Sequence, residues 1–99
     1  MEFLVQFDVT VPAGITDSEL REREGAEARA AEALADQGRL VRLWSLPNAH
    51  LRPLVLGLYR AANMQELNNV LSELPLHEWM TTTVTPLVSH PNDPGIRAG

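Results

Sequence analysis

Residues 40–59 read LVRLWSLPNAHLRPLVLGLY, and this stretch decides the fold. LVRLWSL, residues 40–46, has the composition of a strand. PNAHLRP, residues 47–53, follows as a loop longer than a two-residue hairpin turn. LVLGLY, residues 54–59, is a second, mostly apolar strand, and Gly57 inside it suggests a bulge or a close approach. Two strands therefore succeed one another with no helix between them.

A helix flanks this pair on each side. Upstream, REREGAEARAAEAL (residues 21–34) consists of strong helix formers. Thr16 with Glu19 three residues later is a capping-box signature, so the helix starts near Asp17, and Gly38 supplies its stop. Downstream, Asn63 can cap a helix in which Met64, Leu67, Val70, Leu71 and Leu74 keep helical spacing, and Pro75 ends it. The outermost segments are strands again. EFLVQFDVTV (residues 2–11) alternates Phe3, Val5, Phe7, Val9 and Val11 against Glu2, Gln6, Asp8 and Thr10, and WMTTTVTPLV (residues 79–88) carries a Pro86 suited to a sheet edge or bulge.

The order β-α-β-β-α-β predicts a ferredoxin-like α+β fold, a four-stranded antiparallel sheet with both helices on one face. Residues 1–91 make a single domain and residues 92–99 a tail with no core of its own. If the alternation holds, the sheet face without helices is strongly apolar and needs a ligand or a second subunit. A homo-oligomer is expected.

Composition narrows the chemistry. The 99 residues are 44% apolar, enough for one modest core. The net charge of −5 is spread out with no basic cluster, which argues against nucleic acid and anionic membrane surfaces as partners. No apolar run is long enough to span a bilayer, and the N-terminus lacks signal-peptide features, so a cytoplasmic location is expected. There is no cysteine, and all eight basic residues are arginines. Thiolate nucleophiles, disulfides and Schiff-base chemistry are thereby excluded. Carboxylates, histidine, arginine and tyrosine remain.

Among the carboxylates, two are oddly placed. At about 100° per residue, Leu20, Glu24, Glu27, Ala31 and Leu34 fall on one stripe of the first helix, while Glu22, Arg29 and Asp36 fall opposite. Inward-facing carboxylates a turn apart lose hydration and repel each other, which raises at least one pKa and creates a candidate proton shuttle. The alternative is a slightly rotated helix whose two acids sit at the rim and pair with Arg23 or Arg42. Arg42 and Trp44 share one face of their strand, where an arginine beside an aromatic could hold a carboxylate; equally, they could be a core tryptophan and a solvated arginine. In a chain without lysine a carboxylate anchor must come from arginine, which makes Arg52 in the loop a candidate. His50, His77 and His90 follow no metal-ligand spacing, although His90, at a strand end, could donate a hydrogen bond to a ligand. Tyr59 reads as a packing residue. Phosphate loops, serine elbows and HExxH pairs are missing.

The helix with its glutamates, QGRLVRLWSL (37–46), ELPLHEWM (73–80) and the closing VSHP (88–91) resemble muconolactone isomerase over nearly the whole chain. The best-matching points are Gly38, Leu43-Trp44, Leu74-Pro75-Leu76, Met80 and His90-Pro91. The resemblance implies a ferredoxin-like subunit in a ring-like decamer, no cofactor, and a role in the catechol branch of the β-ketoadipate pathway. The reaction it implies moves the ring double bond of muconolactone to give 3-oxoadipate enol-lactone. Glu27 matches a glutamate of the family's helix, so the resemblance makes it the shuttle. At Glu24 the family typically carries a lysine, and the loop after the second strand is longer here, with His50, Arg52 and two prolines. Both departures point to a changed substrate. The expected activity is thus cofactor-free double-bond isomerisation in a small lactone or another enolisable carbonyl compound, with Glu27 and Glu24 catalytic and Arg42, Trp44, Arg52 and His90 binding substrate. A cyclase or dehydratase of a biosynthetic pathway and a non-catalytic oligomeric binding protein are the alternatives.

Overall fold

Strict alternation along the first strand sets the sheet. In the computed structural model, which describes residues 1–47 and 54–97, β1 spans Glu2–Val9. Its Phe3, Val5 and Phe7 are 0%, 0% and 3% exposed, while Leu4, Gln6 and Asp8 on the other face are only half-buried. Burying each of those side chains contributes roughly 1.5–3 kcal/mol. The remaining strands are β2 (Leu40–Ser45), β3 (Leu54–Arg60) and β4 (Met80–Leu87), in the order β2-β3-β1-β4 with every neighbouring pair antiparallel. The fold is the expected ferredoxin-like α+β arrangement. Pro86 lies on β4, an outer strand, opposite Phe3.

Helix α1 (Asp17–Asp36) begins where Thr16 accepts a hydrogen bond from the Glu19 amide, 3.1 Å. It closes in a Schellman motif, with Gly38 N–H donating to Ala35 and Arg39 N–H to Leu34. Gly38 has φ +74°, a conformation costly for any residue with a Cβ. Helix α2 (Met64–Ser72) is capped by Asn63, which accepts from the Glu66 amide, while the Glu66 carboxylate accepts from Ala62 N–H and pairs with Arg39. Its Leu67 and Leu71 complete the core with Leu40, Tyr59, Ala61 and Leu74.

Strand ends shift by a residue or two, β1 ending at Val9 rather than Val11, and three larger features differ from expectation. Trp79 belongs to a 3₁₀ turn, His77–Trp79, rather than to the last strand, and its carbonyl accepts from Thr10 N–H where β1 leaves the sheet. Residues Pro94–Arg97 form a one-turn helix, α3, with Gly95 N–H bonded to Asp93. The third difference concerns the face without helices. Register places Trp44, Leu54, Leu56, Leu58 and Leu4 there on β2, β3 and β1, but Gln6, Asp8, Thr81, Thr83 and Thr85 share it toward β4. Only half of that face is apolar, because the TTT run of β4 places two threonine hydroxyls outward. Among the described residues no helix is long and apolar enough to cross a membrane.

Candidate active site

Small residues on α1 leave room beneath it. Helix α1 has no fully buried residue; Leu20, Glu27, Ala31 and Leu34 on its inner stripe are half-buried and Glu24 is exposed. Under Ala28 and Ala31 lies a cavity of about 280 Å³, lined also by Phe7, Val9, Leu43, Val55 and Met80 from the sheet. Glu24, Glu27, Tyr59 and Leu76 complete its wall. The two glutamates on the inner stripe therefore open onto an apolar cavity.

Glu27 is held there by backbone. Its Oε1 accepts a hydrogen bond from Leu76 N–H at 2.9 Å. Pro75 lies just past the end of α2 and directly ahead of this amide, and the buried Leu74, Leu76 and Trp79 anchor the segment. Burial pushes the Glu27 carboxyl above the ordinary glutamate range, and the Leu76 N–H opposes that shift by favouring the charged form. Repulsion by a second carboxylate is not the cause, because Glu24 sits at the solvent-exposed mouth. A carboxylate of raised basicity in an apolar pocket can take a proton from a weak carbon acid and give it back.

Arg23, one residue before Glu24, faces another way. Its guanidinium lies 4.6 Å from the centre of the Trp79 ring, donates to the Pro75 carbonyl at 3.0 Å and pairs with Glu78. It fastens α1 to the segment that carries the Leu76 amide, and it is not available to pair with the inner glutamates as the rim alternative required. The Arg23–Glu78 pair is largely solvated and contributes little. Losing the bond to Pro75 and the ring contact in Arg23→Met should cost about 1–2 kcal/mol. The looser Leu76 amide should also favour the charged form of Glu27 less, so its carboxyl titration, followed by carbon NMR, should move upward. An unmoved titration would mean that Pro75–Trp79 holds its place without Arg23.

The other candidates from sequence are dispersed within the subunit. Arg42 and Trp44 stack on each other, 5.1 Å from guanidinium to ring centre, on the sheet face opposite the cavity. Leu43, between them, points to the helix side and forms part of the cavity mouth. His90 accepts from Asn92 N–H at 3.0 Å, beside Met1 and Glu2 at the opposite end of the sheet. Arg52 and His50 lie outside the described residues. Sequence reasoning read Tyr59 as a packing residue and gave Leu76 no role at the site, yet Leu76 supplies the amide that holds Glu27 and Tyr59 lines the cavity. Among the described residues no group of three potential metal ligands is assembled.

Comparison with known proteins gives a consistent result. A family model described as muconolactone delta-isomerase matches residues 1–93. Muconolactone Delta-isomerase 1 of Acinetobacter lwoffii is 28% identical over 92 residues, covering 93% of each chain. Muconolactone Delta-isomerase of Cupriavidus pinatubonensis is 27% identical over 92 residues, covering 93% of this chain and 97% of its own. The crystal structure of muconolactone isomerase superposes with a TM-score of 0.81 at 23% identity and 95% coverage of each chain. SnoaB, a cofactor-independent oxygenase from Streptomyces nogalater, shares the fold more distantly, with a TM-score of 0.51, 17% identity and coverage of 94% and 95%. One fold thus serves more than one chemistry, so the reaction must be argued from the site.

Proposed function

The chain belongs to the muconolactone delta-isomerase family, a family of isomerases, and from that premise we propose that it shifts the ring double bond of a small unsaturated lactone by proton transfer through Glu27. The observation that carries this reading is a half-buried carboxylate, raised above its ordinary pKa and fixed by a backbone amide, on the wall of an otherwise apolar cavity. In the proposed sequence the Glu27 carboxylate takes the proton on the γ-carbon of an α,β-unsaturated lactone. The electrons of that C–H bond move through the ring to the carbonyl oxygen, giving a dienolate. Protonated Glu27 then returns the proton to the α-carbon, the carbonyl re-forms and the double bond rests one position along. No oxidant, metal or cofactor enters the balance. Glu24 at the mouth is assigned an assisting role, tuning the field at the entrance.

Muconolactone itself is the substrate to test first. Proton NMR of the lactone with protein in D₂O should show loss of the γ-hydrogen, appearance of the β,γ double bond and the transferred proton at the α-carbon, replaced by deuterium to the extent that protonated Glu27 exchanges with solvent before returning it. Unchanged lactone that nonetheless binds would favour the non-catalytic reading instead.

A homo-oligomer, as large as the decamer that the resemblance implies, is proposed as the working state. What supports this is the outer strand β2, which exposes Val41, Leu43 and Trp44 on both faces along an unpaired edge, and Val88 beyond β4, which is 88% exposed. Light scattering should report an assembly larger than a dimer. A stable monomer at micromolar concentration would contradict it.

A further inference from the structure

Resting on the isomerase reading above, we propose that Tyr59 is a catalytic residue whose hydroxyl donates the hydrogen bond that stabilises the dienolate oxygen. Tyr59 is only 3% exposed and lies on the helix side of β3, opposite Phe3 and Leu40. Its ring does not stand upright from the sheet. A Cβ built on Gly57 would meet Tyr59 Cε1 at 2.6 Å and Cδ1 at 3.2 Å, so the ring lies back across Gly57. That direction runs along β3 toward Val55, and Phe7, which pairs with Val55, meets the ring edge-on at a centroid distance of 6.0 Å. Phe7 and Val55 are cavity residues, as is Tyr59 itself. Gly57 is thus the absent side chain that lets a tyrosine reach the space beside Glu27.

The cavity needs such a group. Withdrawing the γ-proton places negative charge on the lactone carbonyl oxygen, and a donor aimed there is worth most in an apolar surrounding. Among the described residues lining the cavity, the polar side chains are Glu24, Glu27 and Tyr59, and ionised carboxylates have no proton to donate. The phenol does. Burial, and secondarily the charge of Glu27, push its titration well above the ordinary tyrosine value, so it stays protonated wherever the base is ionised. In the step itself the γ C–H bond breaks toward Glu27 and the carbonyl oxygen gains charge against the Tyr59 O–H. Tyr59 keeps its proton throughout.

Tyr59→Phe keeps the ring and removes only the donor, and an unchanged melting curve verifies the fold. Two readouts test it. On muconolactone, kcat should fall roughly 10²–10³-fold, as for loss of one oxyanion donor, with KM little changed and the acid limb from Glu27 still present. Tetronate, the stable enolate anion of 4-hydroxy-2(5H)-furanone, should bind roughly 10- to 100-fold more weakly to the variant, the effect of one hydrogen bond to a charged group. Wild-type kcat in the variant, or equal tetronate affinity, would overturn the proposal. If the wild-type protein leaves muconolactone untouched while tetronate binding still depends on Tyr59, the isomerase reading fails and the oxyanion donor stands.

Discussion

Glu27→Gln should lose roughly 10²–10⁴ in kcat, the range of general acid–base catalysis, while folding as well as the parent. Glutamine fills the same volume, and its side-chain oxygen can still accept from Leu76 N–H, so the loss isolates the titrating proton from the packing. Stability supplies an internal control. The folded-state pKa of Glu27 is raised, so its contribution is fully present below the unfolded value and is lost as pH rises through the folded value. The neutral variant removes that penalty, and its melting temperature near neutral pH should equal or exceed the wild type's. Glu24→Gln should act far more weakly, because Glu24 is exposed at the mouth and its field is screened by water. Turnover of a lactone by the two variants, with thermal melts alongside, checks both statements. Full activity in Glu27→Gln would return both glutamates to a structural role.

The second large effect concerns the sheet. Phe3 is fully buried on β1 among Val5, Tyr59 and Leu67, whereas Leu4, the next residue, is half-buried on the opposite face. Phe3→Ala removes a ring from a closed core and should cost about 3–5 kcal/mol, a large share of the roughly 5–15 kcal/mol that holds a domain together. At about 4–8 °C per kcal/mol, melting should fall by well over ten degrees. Leu4→Ala should cost less, and part of its cost should depend on protein concentration if a second subunit covers that face. Urea titrations at two protein concentrations separate the cases. Equal, concentration-independent losses at both positions would contradict the assigned faces.

How much of this was legible in the sequence depends on whether a signal is local. Thr16 with Glu19, Gly38 and Asn63 act within a few residues of chain, and all three behave as their spacing indicates. The period-two pattern of β1 likewise fixed its own buried face. Glu24 and Glu27 both line the cavity, as their shared stripe suggested, but only Glu27 is half-buried and Glu24 is exposed; nor does the stripe say that Ala28 and Ala31 would leave a cavity instead of a sealed contact. The Leu76 amide could not be foreseen, since a backbone donor carries no side-chain signature. Gly57 suggested a bulge or a close approach; it is a close approach, and what approaches, the ring of Tyr59 two residues later, is seen only in the folded sheet, where Gly57 lies opposite Val5 and Leu43. Arg42 and Trp44 were grouped correctly with each other, yet strand alternation alone does not tell which face holds the cavity.

The most direct test of the central claim is the pH dependence of kcat/KM for lactone isomerisation by the wild-type protein, measured in parallel with Glu27→Gln from about pH 4 to pH 8. The wild-type rate should rise with pH along an acid limb whose midpoint lies above the value of about 4.3 for an unperturbed glutamate, because the base must be ionised and burial resists its ionisation. In Glu27→Gln the residual rate should be low and that limb should be gone. A wild-type profile with no acid limb, or the same limb persisting in the variant, would contradict the assignment of Glu27 as the proton shuttle.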